Sequence, residues 1–337
     1  MPHSRPVVAI TLGDPASVGP EIVVRALSTG ALHDVCIPVV VGDRRFVDRA
    51  LGTTGVSLEV VPIGRPAEAA GIFGTAEVVD VPAYGFDGIA WGRIQAAAGR
   101  AAFESIRVAI DLALAREVDA VATAPVNKEA FRAAGVSQIG HTEIFGERTA
   151  TPDPLTLFEV KGLRIFFLTR HLSLAEAIRR ITAERTLDVL RRAAAALRTL
   201  GVASPRLAVA ALNPHGGEHG LFGDEEEREL VPAVAAARAE GIDAHGPLPA
   251  DSVFWHAAQG RFDAVLSLYH DQGHIAAKMY DFERTVSITC GLPFLRTSVD
   301  HGTAFDIAGT GRANAVSMVE AVRAAARDAF AVRPRRV

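Results

Sequence analysis

Six short runs, at 7–12, 37–41, 120–124, 163–169, 206–212 and 264–268, are apolar almost throughout, where a half-exposed strand would alternate with polar residues. A strand with no polar face needs cover on both sides. Between the runs lie stretches whose apolar residues recur three and four apart, chiefly an Ala-rich one over 95–116 and a pair over 173–200. That alternation predicts an α/β protein, a mostly parallel sheet with helices on both faces. Further strands are predicted at 58–62 and 77–81, and helices at 45–51, 254–259 and 312–332. At 337 residues the chain exceeds the roughly 250–300 at which a single core stops growing, so two subdomains are expected.

A formal charge of −4 gives no electrostatic reason to expect nucleic acid or an anionic membrane as partner. No apolar run approaches the roughly 20 residues of a membrane helix, and the first ten residues do not resemble a signal peptide. A cytoplasmic location is the expectation. Cys36 and Cys290 sit in apolar surroundings and are too few for a disulfide framework, so buried free thiols are expected.

Open α/β sheets gather ligands at the carboxyl ends of their strands, and the stretch 264–314 is the richest such place in this chain. Tyr269, His270, Asp271, Gln272 and Gly273 follow an apolar run; Lys278, Arg296 and a Gly/Ala-rich loop with His301, Asp306 and Asn314 come after. His171 and His215 close two other runs. Three imidazoles at equivalent strand ends suit a divalent metal with an open coordination position, and Asp271 and Asp251 could orient a ligand or act as general base. A second set, His141, Thr142, Lys128, Lys278 and Arg296, offers directed donors for a phosphorylated or carboxylated metabolite. Asn127 and Glu143 adjoin it. The turn after the first run, with Gly13, Gly19 and Pro20, lacks the GxGxxG spacing and receives no cofactor role. Glu225, Glu226 and Glu227 at a helix start are accounted for by the helix dipole.

The loop DHGTAFDIAGTGRAN resembles the adenine-side cofactor loop of isopropylmalate and isocitrate dehydrogenases, through His301, Gly302, Thr303, Ala304, Asp306, Ala308, Gly309 and Asn314. The resemblance implies NAD, since a carboxylate at Asp306 suits ribose hydroxyls and repels a 2′-phosphate. Along the whole chain ITLGDPASVGPEI, ATAPVNKEAF, GHTEIF, LTRHLSL, LNPHGGEHGLFGDEE, GPLPADSVF, YHDQGHIAAK and GLPFLRTSVDHGTAFDIAG resemble the 4-hydroxythreonine-4-phosphate dehydrogenase family. That resemblance implies an isocitrate/isopropylmalate dehydrogenase-like three-layer α/β/α fold of two subdomains with a cleft. The cofactor-side subdomain would comprise 1–130 and 289–337, and the metal, substrate and dimerisation subdomain 131–288. It further implies one divalent ion, zinc, magnesium, manganese or cobalt, on His171, His215 and His270, and substrate contacts from His141, Thr142, Lys278, position 287 and Arg296. Gly302, Thr303, Ala304, Asp306 and Asn314 would serve the cofactor. Position 287 departs from the pattern: Ser287 stands where the family has Asn.

GLFGDEE and YHDQGHI are more similar to the branch that oxidises 4-phospho-D-threonate or 4-phospho-D-erythronate than to the vitamin B6 enzymes. The GHTE segment argues for a phosphorylated substrate over the family's cyclic diol dicarboxylate. The implied reaction is oxidation of the C3 hydroxyl of a small phosphorylated hydroxy acid by NAD, then loss of carbon dioxide from the resulting 3-oxo acid to give dihydroxyacetone phosphate. Lys278, Asp251 or Asp271 would serve the proton transfers, and a homodimer would share its active sites. The alternatives are the B6 step on 4-phosphohydroxy-L-threonine, and a non-catalytic metabolite-binding protein on the same scaffold.

Overall fold

The computed structural model describes residues 5–332. Two compact units emerge, one made of the chain up to Pro154 together with the chain from Val286 onward, the other of Leu155–Thr285. In order, the first contains β1 (Val7–Thr11), α1 (Gly19–Ser28), β2 (Ile37–Gly42), α2 (Arg44–Thr54), β3 (Glu59–Ile63), β4 (Thr75–Asp80), α3 (Ala96–Leu114), β5 (Ala120–Thr123), α4 (Lys128–Ala133) and α5 (His141–Arg148). The second holds β6 (Leu155–Val160), β7 (Leu163–Phe167), α6 (Leu174–Arg179), α7 (Ala183–Thr199), β8 (Arg206–Ala210), α8 (Val231–Ala239), β9 (Asp243–Leu248), α9 (Ala250–Ala258), β10 (Ala264–Ser267) and α10 (His270–Asp281). The chain then returns to the first unit with β11 (Val286–Cys290), β12 (Leu295–Val299) and α11 (Val316–Val332).

In the first unit the strands lie in the order β3-β4-β2-β1-β5-β12-β11. All neighbours are parallel except β11 and β12, where Ser287 faces Ser298. The central strands are buried at every position, as their unbroken apolar character requires. One sheet face sends Ala9, Val39 and Val121 into a core with Ala102, Ile106 and Ile110 of α3, while α11 lies against β12, β5 and β1. Residues 131–154 belong with this unit, and the division falls after Pro154 where the sequence suggested 130. The reason is packing: the Phe145 ring of α5 meets Phe294 at 6.1 Å, and α4 lies so close on α3 that a Cβ on Gly99 would stand 2.1 Å from the Ala130 carbonyl oxygen.

The second unit orders its strands β6-β7-β10-β8-β9. Only β6 and β7 pair antiparallel, joined by Lys161 and Gly162 at φ 48° and 84°. Two successive left-handed residues make the hairpin turn whose twist matches the strands. Phe158, Ile165, Phe167 and Val265 form its core with Val253 and Phe254 of α9 and Ala277 of α10.

The turn after β1 contains a buried acid. Asp14 has no exposed surface; Oδ1 accepts from the Ala16 amide at 2.8 Å, and Oδ2 is buried with no hydrogen-bond partner. Burial raises its pKa to about 6, against the smaller opposing effect of the Ala16 amide. Both cysteines are buried and neither forms a disulfide, and burial pushes the Cys36 thiol up to about 12.

Two outcomes follow from this packing. Replacing Gly99 by Ala favours the helix by about 1 kcal/mol through propensity, but the clash is with backbone that no side-chain rotation relieves. The variant should therefore lose about 1–2 kcal/mol net, seen as a lower denaturation midpoint; a gain in stability would refute the close approach. For Asp14, the folded protein holds a proton that the unfolded chain releases between pH 3.8 and about 6, so stability falls as pH rises through that window and stays lower above it. The cost amounts to about 3 kcal/mol. Asp14→Asn removes the titration, so its Tm relative to the wild type should be more favourable at pH 7.5 than at pH 4.5. Equal differences at both pH values would contradict the burial of the charge.

Candidate functional site

In the first unit the loop between β12 and α11 is built from successive turns. The Ile307 amide donates to the Ala304 carbonyl at 3.1 Å, and the Thr310 amide to the Ile307 carbonyl at 3.2 Å. Ala304, Gly309 and Gly311 take φ of 43°, 79° and 69°, so three left-handed residues fold the segment back on itself. Gly302 and Asp306 are exposed and Thr303 half-buried; the Thr303 carbonyl accepts from the Val18 amide of the turn after β1 at 3.2 Å. Asn314 Oδ1 accepts from the Val316 amide at 2.8 Å and so steadies the start of α11. Gly302, Thr303, Ala304, Asp306 and Asn314 thus share one short loop, with the Asp306 carboxylate presented to solvent. His301 Nδ1 lies 2.9 Å from the Gly302 carbonyl.

The same unit buries a cation beside an imidazole. Arg296 on β12 is only 4% exposed. Its Nη2 donates to Thr123 Oγ1 at 2.6 Å and its Nη1 to Thr289 Oγ1 at 3.1 Å, and its guanidinium carbon stands 5.4 Å from the centroid of Phe145. Phe145 lies one turn beyond His141 on α5, so the helix carries both neighbours of the guanidinium. His141 Nε2 is buried and has no hydrogen-bond partner. Burial first, and the Arg296 charge second, hold this imidazole well below its ordinary pKa. A neutral ring with an orphaned nitrogen next to a fixed guanidinium suits an incoming anion, which would supply the missing partner and offset the repulsion. Thr142 follows His141 and is half-buried, as is Ser287 on β11. Lys128 is exposed at the start of α4, and its Cε lies 3.9 Å from where a side chain on Gly140 would begin. The Asn127 side chain accepts from the Ala130 amide at 2.8 Å, a helix cap. Thr123 and Thr289 escaped sequence reasoning because a threonine inside an apolar strand looks like any other β-branched core residue.

In the second unit His270 is the first residue of α10, and the rings of His171 and His270 stand 6.0 Å apart. His270 Nδ1 lies 2.7 Å from Asp271 Oδ1; a carboxylate there accepts from Nδ1–H, the arrangement in which a neutral imidazole offers its Nε2 lone pair to a ligand. Asp271 is therefore placed to orient an imidazole. His274 stacks on His270 at 3.6 Å and lies between the rings of Phe158 and Phe167 at 4.5 and 4.7 Å; burial, more than any neighbouring charge, lowers its pKa to about 4. Lys278, half-buried in the last turn of α10, has Nζ 5.4 Å from the Phe282 centroid and adds to the forces keeping His274 neutral. Asp251 is exposed in the first turn of α9.

Two side chains steady the strand ends that carry these histidines. Gln272 accepts from the Leu268 amide and donates to the Ala211 carbonyl, each at 2.8 Å, tying the end of β10 to that of β8. Glu226, buried at 1% exposure, accepts from the amides of Leu212 and Asn213 at 2.8 and 2.7 Å. The sequence explanation of Glu226 by the helix dipole is corrected here: its carboxylate is spent on the loop that leads to His215.

The expected meeting of three imidazoles is only partly present. His215 begins five consecutive residues, to His219, with φ between 43° and 83°. Its side chain is 71% exposed, with Nδ1 3.4 Å from Glu218 Oε2 and its ring 6.3 Å from Phe222. This left-handed segment aims the ring at its own neighbours. Among the described residues no three His, Cys, Asp or Glu stand close enough to hold a metal ion. The donor chemistry suits a divalent ion of the zinc or cobalt kind, with two of its three rings adjacent.

The geometry can be set beside that of known proteins. The chain is 63% identical over 330 residues to a protein of Symbiobacterium thermophilum described as "Putative D-threonate 4-phosphate dehydrogenase", covering 98% of each. A protein of Halalkalibacterium halodurans with the same description is 55% identical, over 97% of this chain and 98% of that one. Among solved structures, 4-hydroxythreonine-4-phosphate dehydrogenase from Klebsiella pneumoniae superposes with a TM-score of 0.90 at 44% identity, covering 97% of this chain and 98% of that one. The family model for the pyridoxal phosphate biosynthetic protein PdxA matches residues 34–325, a span that takes in the His141–Arg296 pair, the strand-end histidines and the glycine loop. With every one of those features inside the match, the chain belongs to the PdxA family.

Proposed function

We propose that the protein is an NAD-dependent, divalent-metal-dependent dehydrogenase. It oxidises the C3 hydroxyl of a 4-phosphorylated four-carbon hydroxy acid, 4-phospho-D-threonate or 4-phospho-D-erythronate, and the 3-oxo acid then loses carbon dioxide to give dihydroxyacetone phosphate. The observation that carries the reading is the orphaned His141 Nε2 beside the fixed guanidinium of Arg296, a place made for a phosphate. The D-threonate 4-phosphate named for the relatives at 63% and 55% identity supports it.

In this reading Arg296 and His141 bind the phosphate while Thr123 and Thr289 fix the plane of the guanidinium. Thr142 and Ser287 add hydroxyl donors; serine at 287 reaches less far than asparagine, which shapes the pocket for its particular acid. Asp306 receives the ribose hydroxyls of the dinucleotide and excludes a 2′-phosphate. His171, His215 and His270 would hold the metal, with Asp271 fixing the tautomer of His270. When bound, the ion acidifies the substrate hydroxyl and stabilises the charge that develops as carbon dioxide departs. NAD when bound accepts the hydride. Lys278 or Asp251 takes the hydroxyl proton.

We also propose a homodimer with shared active sites. Ile275, Met279 and Phe282, exposed by 61%, 82% and 61%, fall at i, i+4 and i+7 of α10 and its C-cap and so form one apolar stripe. Met279→Glu should place a charge in that stripe and shift the species seen by light scattering from dimer to monomer. An unchanged mass would exclude this face.

The activity test follows NADH formation at 340 nm with each substrate. Activity should vanish with EDTA and return with a divalent ion, and kcat/KM should be higher for the D-hydroxy acid phosphates than for 4-phosphohydroxy-L-threonine. Arg296→Lys keeps the charge but loses the two-point grip, and should raise the KM for substrate about 30-fold. Preference for the L-amino substrate would move the protein to the B6 reaction, and no turnover of any of them, with metal and NAD present, would leave the non-catalytic alternative.

A further inference from the structure

Glu21 is the third residue of α1, has no exposed surface and carries a carboxylate. One oxygen accepts from the Gly309 amide at 2.6 Å and the other from the Gly311 amide at 2.8 Å. One turn further along the helix, Arg25 Nη2 donates to the Gly311 carbonyl at 2.5 Å. An acid in the first turn of a helix ordinarily serves that helix's own dipole or free amides. Here both oxygens are spent on a loop nearly three hundred residues away in sequence.

The opposite side of the loop is closed as tightly. A Cβ on Gly309 would meet Trp91 Cγ at 2.5 Å, and one on Gly311 the Thr53 carbonyl oxygen at 2.6 Å. The Arg49 guanidinium lies 4.0 Å from the Trp91 ring centroid and donates to the carbonyls of Ile89 and Pro15 at 2.6 and 2.5 Å. Gly309 and Gly311 are thus held between α1 on one side and Trp91 and α2 on the other.

We infer that Glu21 is a positioning residue for dinucleotide binding. Its carboxylate fixes the left-handed turn 309–311 before the cofactor arrives, and so presents Asp306 in a single arrangement; this rests on the reading of the loop as the dinucleotide site. A loop without regular structure samples many shapes, and a ligand that binds one of them loses affinity in proportion to the fraction absent. Charge-assisted hydrogen bonds in a buried place are the stronger kind and shift that fraction most. Glutamine at position 21 keeps the shape but sets an NH2 group against an amide N–H, so one of the two grips is lost.

The test has three arms. In the wild type without NAD, amide hydrogen exchange should show Gly309 and Gly311 protected, and Glu21→Gln should speed their exchange at least about tenfold. NAD titration by fluorescence, in a Trp255→Phe background that leaves Trp91 as the one remaining tryptophan, should show Kd rising about tenfold in Glu21→Gln. In steady state the loss should appear in the KM for NAD and not in kcat, a split that a general loss of folded protein cannot produce. Glu21→Asp, shorter but still anionic, should fall between. If Glu21→Gln does not fold, Arg25→Met, which removes the neighbouring grip from a half-buried position, is expected to weaken NAD binding in the same sense. Unprotected Gly309 and Gly311 amides in the wild type, or a Kd within twofold of wild type in the variant that folds, overturns the proposal. A wild type that binds no NAD at all overturns the dinucleotide reading and this inference with it, whereas normal NAD binding with an unaffected Glu21→Gln removes only the role of Glu21.

Discussion

A strand buried on both faces leaves its last amides and carbonyls without neighbours, in a place that water cannot reach to satisfy them. This chain answers with side chains that grip two backbone groups at once. Gln272 bridges Leu268 and Ala211, Glu226 joins the amides of Leu212 and Asn213, and Glu77 takes those of Ala70 and Gly71. Asp43 does the same for Arg45 and Ala83. Loops that must be irregular in order to carry functional groups thereby acquire fixed ends. An unpaired buried amide costs about 1–3 kcal/mol, so each bridge matters on the scale of a domain's whole net stability.

Burial of that kind also sets the protonation of the groups that chemistry would use. His141 and His274 stay neutral because charging them would place a cation in low-dielectric surroundings, next to Arg296 in one case and near His270 and Lys278 in the other. Asp14 titrates near neutrality for the mirror-image reason.

The alternation of apolar runs and helical periodicity was enough to read the parallel cores of both units, because both-face burial is written into every residue of β1, β2, β5 and β10. The antiparallel pairs β6–β7 and β11–β12 were not legible. Each depends on a turn conformation, such as Lys161–Gly162 in the left-handed region, that no apolar pattern announces. The strand-end positions of His171, His215 and His270 were visible as residues following apolar runs, and the resemblance to a family supplied their proposed role. Sequence could not give the direction of each ring, which hangs on local partners: Asp271 for His270, Glu218 and Phe222 for His215. Thr123, Thr289 and Glu226 stayed hidden because what they do depends on a contact with a distant backbone or guanidinium, and their type alone fits a bland explanation.

The segment 215–219 stands apart from this pattern of bracing. Its entrance is fixed by Glu226, yet five residues, three of them not glycine, occupy left-handed dihedrals. Each non-glycine residue there costs about 1–2 kcal/mol in L-amino-acid sterics. Gly216 and Gly217 relieve part of the cost, and a Cβ on Gly217 would stand 2.9 Å from Glu226 Oε2, so the brace itself requires glycine at that point. A conformation this expensive, on an exposed segment with the His215 side chain largely in water, is the part of the second unit with most to gain by rearranging around a ligand. On the proposed reading His171, His215 and His270 would hold a divalent ion, and a shift of this segment toward His171 and His270, whose rings stand 6.0 Å apart, would release part of that backbone cost. Metal affinity would then include the relief of backbone strain along with the strength of three nitrogen bonds.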